Sequence, residues 1–205
     1  MSSSSDTEHW DAVYGAKAEN EVSWFEATPE RSLALIARSG VDKSAPIVDV
    51  GGGVSRLADH LLAAGYSDVS VLDISGEAIR RLLGRQPPDS PLHGIAADVT
   101  TWRPDRRYRL WHDRAVLHFL VGGDAREAYR RTLLAALAPG GQAIIATFAP
   151  TGPERCSGLP VRRYGTVELA SFLGADFTPI ESLMFDHVTP WGAVQHFHVG
   201  RFRRG

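Results

Sequence analysis

VDVGGGVS, residues 48–55, ends an apolar run on an acid and then sets three glycines in a row before a small polar residue. The run before it, APIVDV at 45–50, has strand length; SRLADHLLAAG at 55–65 after it carries apolar residues at helical spacing and stops at Gly65. A glycine run between a strand and a helix lets the backbone come close to a ligand. The rest of the chain has to say what that ligand is.

Outward from this turn, strands and helices alternate. TPERSLALIARSG at 28–40 predicts a helix with Thr28 as N-cap, Pro29 at its first position and Gly40 as its stop. DVSVLDI at 68–74 is a second strand, and SGEAIRRLLG a helix opened by Ser75 and closed by Gly84. LHGIAADV (92–99) and RYRLWHD (107–113) follow as strands. DAREAYRRTLLAAL (124–137) is a helix with Asp124 and Glu127 as a capping-box-like pair, and PGG then turns into the strand QAIIATFA (142–149). After Pro150 the pattern changes. GPERCSGLPVRRYG reads as loop, TVELASFLG as a short helix, and two long strands joined by TPWG must be antiparallel. The expected fold is a Rossmann-like three-layer α/β sandwich: a seven-stranded, mostly parallel sheet with a C-terminal antiparallel hairpin. Ligands in such sheets bind at the carboxyl ends of the strands. Residues 1–27 read as an N-terminal aromatic segment and 28–205 as one domain.

Bulk properties bound the function. The 205 residues suffice for one substantial core, and a net charge of -2 gives no reason to expect nucleic acid or a membrane as partner. A single cysteine, Cys156, forms no internal disulfide and fits a reducing compartment. No apolar run is long enough to span a bilayer. MSSSSDTEHW lacks the basic patch and apolar stretch of a secretory signal, its serines are expected to fray, and the expected location is cytoplasmic.

Three ligands compete for the glycine turn. A phosphate loop of the Walker type needs Gly-Lys-Ser/Thr, and no lysine is present. A dinucleotide turn wants G-x-G-x-x-G, but Gly53 is followed by Val54, Ser55 and Arg56. S-adenosylmethionine (SAM) remains. Its site needs an acid at the strand end, here Asp49, and a flat turn, here Gly51 and Gly53. It also needs an acid for the ribose hydroxyls. Asp73 closes the second strand 24 residues after Asp49, with Ile74 beside it. Asp98 closes the third, where a carboxylate can accept from the adenine amino group while Val99 packs on the ring. Each aspartate alone is equally well a helix or turn cap; the set of three on successive strands points to SAM.

These residues resemble the class I SAM-dependent methyltransferases. VDVGGGVS is similar to that family's D-x-G-x-G-x-G, with Gly51 and Gly53 in register and Ser55 in place of the last glycine. VLDIS, AADV, LWHDRAVLHFL and LAPGGQAIIATF match its later motifs in order, over roughly residues 30–150. WHDRAVLHFL and GPERCSGLPVRRY narrow the resemblance to a group of small bacterial methyltransferases. The resemblance implies methyl transfer from SAM, with the reactive loop after the fourth strand. That loop reads His112-Asp113-Arg114-Ala115, not Asn/Asp-Pro-Pro-aromatic, so amide and exocyclic-amine chemistry of the kind done with that loop is not expected. Asp113 and Arg114 would shape the cofactor's methionine end, or form a structural ion pair with other loops. In the family, segments such as HWDAVYGAKAENEVSWFE commonly close over the cofactor. Tyr14 is a candidate substrate contact and Trp24 a candidate cofactor contact; a fixed aromatic staple is the alternative.

His112 and His118 are candidate general bases, because histidine titrates near neutrality. A packed ring with a satisfied nitrogen is the plainer reading of His118, which lies among apolar residues. Arg162 and Arg163 could hold an anionic substrate, or form a solvated surface pair. Cys156 could be a thiol near the substrate, though a buried or idle cysteine is the plainer reading. His187, His196 and His198 raise a metal site, but lack a second close pair of ligands, so no metal is expected. The resulting expectation is methyl transfer to a small molecule through a hydroxyl, thiol or other soft nucleophile, with the oligomeric state open. A protein lysine methyltransferase, a SAM-binding sensor or partner subunit, and a nicotinamide oxidoreductase are the rivals.

Overall fold

Strands covered on both faces are buried along their length, as β1 (Ile47–Val50), β2 (Val69–Asp73) and most of β4 (Tyr108–Arg114) are; Asp49, Ser70, Asp73, His112 and Asp113 are their buried polar residues. The computed structural model describes residues 3–205. Together with β3 (Leu92–Ala96), β5 (Leu137–Phe148), β8 (Phe177–Val188) and β9 (Val194–Arg204), these strands form a seven-stranded sheet in the order β3-β2-β1-β4-β5-β9-β8. The first five strands pair in parallel, and β9 runs antiparallel between β5 and β8.

Alternation along each strand sorts the core into two halves. Ile47, Val69, Val71, Leu110 and Ile144 meet Leu35 and Ile36 of α2 (Glu30–Ser39), Leu57 and Leu61 of α3 (Leu57–Ala63) and Leu82 of α4 (Gly76–Gly84). Val48, Val50, Leu72, Trp111, Ala143 and Ile145 meet Tyr129 and Leu133 of α5 (Gly123–Ala136) and Leu169 and Leu173 of α6 (Thr166–Leu173). The expected three-layer sandwich is therefore present.

Several local expectations shift. Thr28 does not cap α2: the helix opens at Glu30, whose N–H is taken by the Thr28 carbonyl at 2.9 Å. Gly40 does end it, at φ 68°. Ser75 caps α4 by accepting from Ala78 N at 3.1 Å. Asp124 and Glu127 make no capping box, because α5 begins at Gly123 with Gly122 as N-cap, so Asp124 lies inside the helix. The PGG stretch is no turn before β5 but part of it, with Gly140 at φ 72° and a register shift between Tyr108 and Leu110. The expected loop at 152–165 contains a small hairpin, β6 (Arg155–Cys156) and β7 (Leu159–Pro160), turning through Ser157 and Gly158 at positive φ.

Of the serines expected to fray, those at 3–5 belong to the helix α1 (Ser3–Ala16), while Met1 and Ser2 lie outside the described residues. Reciprocal end contacts hold α1 on α4. Asp11 accepts from Ser75 Oγ at 2.5 Å and from Glu77 N at 3.2 Å, an anion at a helix N-terminus. Arg81 in return donates to the Tyr14 and Lys17 carbonyls at the end of α1.

Candidate functional site

The glycine turn takes its shape from its glycines. Gly51 and Gly53 sit at φ 68° and 49°. A Cβ on Gly51 would run into the Val116 side chain, and one on Gly53 into the Tyr14 hydroxyl. Gly51 N donates to Leu72 O at 2.6 Å, which stitches the turn to β2. Beneath it, Asp49 Oδ1 holds His112 Nδ1 at 2.7 Å, and His112 Nε2 meets Ser32 Oγ at 3.0 Å. Asp49 thus ties the turn to β4 and α2.

Asp73 ends β2 in a buried position. Its Oδ1 accepts from Ser75 N at 2.8 Å, and the carboxylate also accepts from Gly53 N. Burial pushes its pKa up to about 7, with the nearby charges of Asp49 and Asp11 adding to the rise. No cation pairs with it among the described residues. At the end of β3, Asp98 Oδ1 accepts from Thr100 N at 2.8 Å and from Thr100 Oγ1 at 2.7 Å.

Above these strand ends lies a cavity of about 430 Å³. Gly51, Asp73, Ile74, Asp98 and Val99 line one end; Trp10, Tyr14 and Trp24 cover it, joined in an edge-on aromatic cluster. His118, Phe119, Phe148, Cys156 and Phe197 line the part toward β5 and β9. The segment after β4 that shapes this part is braced by Asp113. Its carboxylate accepts from Val116 N at 2.8 Å, Leu117 N at 3.1 Å and Tyr129 OH at 2.6 Å, and burial raises its pKa to about 6. That brace holds Ala115 at φ 75°.

The candidate residues thus separate. Gly51, Asp73, Ile74, Asp98, Val99, Trp24, Tyr14 and His118 come together around the cavity. Asp49 lies beneath the turn, Gly53 sits within it under the Tyr14 hydroxyl, and Asp113 and His112 stand behind the wall with their polar atoms already engaged. Arg162 and Arg163 are not brought to the cavity. Arg163 reaches Gly152 O at 3.2 Å and Glu154 at 3.1 Å, and Arg162 packs over Tyr164. His187 meets Ser23 O at 2.6 Å, His196 meets Asp186 at 2.7 Å, and His198 meets Ser182 at 2.7 Å; these three do not converge.

The sequence reading missed Phe119, Phe148 and Phe197 as cavity walls, since each looks like an ordinary core aromatic. It also missed a clamp on the N-terminal segment. Arg114, partly buried, bonds Trp24 O at 3.1 Å, Glu26 at 3.1 Å and His187 Nδ1 at 3.2 Å. Burial lowers the Arg114 pKa, and the Glu26 carboxylate beside it opposes that fall. This clamp places Trp24 over the glycine turn.

The residues present fit SAM. A turn with no room for a Cβ offers flat backbone, and a buried, cation-free carboxylate at the end of β2 suits a pair of hydroxyl donors.

No protein-family model and no curated protein sequence matches the chain. Solved structures do. One, from work on the conversion of a disulfide bond into a thioacetal group during echinomycin biosynthesis, superposes with a TM-score of 0.77 at 23% identity, over 97% of this chain and 92% of that one. The 1,6-didemethyltoxoflavin-N1-methyltransferase of Burkholderia thailandensis, with bound 1,6-didemethyltoxoflavin and S-adenosylhomocysteine, gives 0.69 at 25% identity over 98% and 84%. The N-methyltransferase NodS of Bradyrhizobium japonicum, in complex with S-adenosylhomocysteine, gives 0.71 at 17% identity over 95% and 97%. The chain has the fold of the class I SAM-dependent methyltransferases.

Proposed function

We propose that this chain transfers a methyl group from SAM to a small-molecule acceptor. The observation that carries the reading is the cavity at the carboxyl ends of β1, β2 and β3, floored by Gly51, Asp73 and Asp98 and roofed by Trp10, Tyr14 and Trp24. When bound, SAM supplies an electrophilic methyl group on a sulfonium. The chain's own residues bind and shield. Asp73 accepts from the two ribose hydroxyls, and Asp98 accepts from the adenine amino group. Ile74 and Val99 pack on the adenine ring, and the aromatic roof keeps water out. Enclosure by α1 and the 155–160 hairpin favours a small acceptor over an extended peptide. Proteins of the same fold crystallised with S-adenosylhomocysteine support the cofactor assignment.

Calorimetry with S-adenosylhomocysteine tests the cofactor, and conversion of SAM to S-adenosylhomocysteine against a panel of acceptors tests the catalysis. Binding with acceptor-dependent turnover is expected. Binding of NADH in place of S-adenosylhomocysteine overturns the reading. Tight SAM binding with no turnover on any acceptor favours a sensor.

A further inference from the structure

The part of the cavity toward β5 and β9 has a chemistry of its own. Its walls are rings: His118 lies edge-on to Phe119 with centroids 4.4 Å apart and 4.7 Å from Phe148, which in turn meets Phe197 at 4.8 Å. Surfaces of this kind take flat aromatic guests. Arg114 reaches this end but is already committed to Glu26, Trp24 and His187, so it has no charge to spare for a carboxylate. Asp73 and Asp98 end β2 and β3, on the opposite side of β1 from β5 and β9.

One polar atom at this end lacks a partner. His118 is wholly buried in the cavity wall, and its Nε2 has no hydrogen bond among the described residues. Its Nδ1 accepts from Phe148 N at 3.4 Å, so the neutral ring carries its proton on Nε2. A buried N–H without an acceptor is costly, and a ligand atom with a lone pair removes that cost. Burial also lowers the His118 pKa to about 3, so the ring is a donor at neutral pH and a poor base. His118 is therefore no base for a hydroxyl acceptor; the cavity wall also holds one carboxylate from α1, Asp6.

We infer that the acceptor is a small nitrogen- or sulfur-containing aromatic heterocycle, methylated on a lone pair that needs no base, and that His118 Nε2–H donates to a second heteroatom of the same molecule. This rests on the methyltransferase reading. The bond formed joins the ring nitrogen or sulfur to the methyl carbon. The bond broken is methyl carbon to sulfonium sulfur, with its electron pair staying on sulfur. A neutral acceptor becomes a cation, or sheds its own N–H or S–H proton to water.

Two experiments test this. Long-range 1H–15N correlation on 15N-histidine protein reads the tautomer of His118 directly, with the His118→Gln spectrum identifying its signals. A neutral Nε2–H ring from pH 5.5 to 8 is expected; an Nδ1–H ring, or one that titrates between pH 6 and 8, overturns the donor role even if His118→Phe does not fold. In the second, benzimidazole, 2-mercaptobenzimidazole, phenol, benzoate and benzylamine are titrated into the S-adenosylhomocysteine complex. The two heterocycles should bind most tightly and shift the His118 Nε2–H signal. His118→Phe should weaken them about 10-fold while leaving S-adenosylhomocysteine affinity within about 2-fold, the loss expected for one buried donor. Tighter binding of benzoate or phenol, of benzylamine (which would report Asp6 in the cavity wall), or of none overturns the substrate class. Failure to bind S-adenosylhomocysteine overturns the methyltransferase reading instead, so the two failures are distinguishable.

Discussion

The half of the sheet made by β3, β2 and β1 and the half made by β4, β5, β9 and β8 build their parts of the cavity by different means. In the first half each strand delivers one residue at its own end: Gly51 after β1, Asp73 at the end of β2, Asp98 after β3. The demand is local. A turn with no room for a Cβ must be glycine, and a carboxylate needed at a strand end must follow the strand's last apolar residues. In the second half the walls are Phe119, Phe148, Phe197 and Cys156, from four separate segments that meet only in the folded chain. Local chemistry specifies the first half, tertiary convergence the second. Variants in the two halves should therefore fail in different ways.

Gly51→Val should fail hardest. A β-branched residue at φ 68° is strained, and its Cβ would overlap Val116. S-adenosylhomocysteine affinity should fall by more than about 100-fold, at a stability cost of about 1–3 kcal/mol. Calorimetry at wild-type affinity would place the ligand away from this turn, and would break the comparison at its base.

Asp113→Ala should lose stability first. It frees three donors, Val116 N, Leu117 N and Tyr129 OH, inside the core. The expected loss is about 2–4 kcal/mol in chemical denaturation. In a protein that still folds at low temperature, S-adenosylhomocysteine affinity should change by no more than about 3-fold, since the carboxylate is spent on the brace. A large affinity loss with little change in stability would return Asp113 to the cofactor's methionine end.

This contrast also sets what the sequence makes legible. The alternation of strands and helices, the sheet with its terminal hairpin and the cap at Ser75 follow from local pattern, and the structure has them. Thr28 and Asp124 fail as caps because each helix begins one or two residues away from where their side chains could reach, a margin that propensity does not resolve. The helix α1 escapes notice because a serine-rich start with few apolar residues has no amphipathic stripe; its stability comes from Asp11, Ser75 and Arg81 across a helix pair. Of the three strand-end acids the sequence set together, Asp73 and Asp98 do line one cavity, while Asp49 is taken up by His112 beneath the turn. The ring walls were not legible: an aromatic at a strand end reads the same whether it faces a core or a cavity. His118, too, reads as core or as base, and only its neighbours make it a buried donor.

Asp73 separates ligand from fold within a single residue. Asp73→Ala should weaken S-adenosylhomocysteine by about 1.5–3 kcal/mol, through loss of a charged acceptor for two hydroxyls. Its pKa, raised to about 7 by burial, gives a second reading. A carboxyl raised in the folded state stabilises the protein fully below its ordinary range, and that contribution is lost as pH rises through 7. The ligand-free protein should therefore melt higher at pH 6 than at pH 8. Asp113, shifted in the same direction, adds to the slope, so the difference between wild type and Asp73→Asn isolates Asp73. Asp73→Asn should be more stable than wild type at pH 8 by about 1–3 kcal/mol. Hydroxyl donors favour the ionised form, so S-adenosylhomocysteine affinity should rise about 10-fold from pH 6 to pH 8 in wild type and stay flat in Asp73→Asn. Equal slopes in the two proteins would detach Asp73 from the ligand.

The smallest effect belongs to Arg163, where a sequence motif and a cavity wall part company. The two arginines in PVRRY look suited to an anionic substrate, and their loop does leave the carboxyl edge of β5. Yet Arg163 turns to Gly152 O and to Glu154, which is largely exposed, and so braces its own loop. An ion pair of that kind contributes about 0–1 kcal/mol, and less in salt. Arg163→Ala should thus lower the melting temperature slightly, by an amount that shrinks in high salt. Turnover and Michaelis constant on any methylated acceptor should stay within about 2-fold, because nothing in the cavity contacts this side chain. A Michaelis constant raised about 10-fold or more, with turnover unchanged, would mean that the hairpin swings Arg163 onto the bound acceptor. The β5 side would then carry a charge for its substrate after all, and the contrast between an acidic half proposed for the cofactor and an aromatic half proposed for the acceptor would have to be withdrawn.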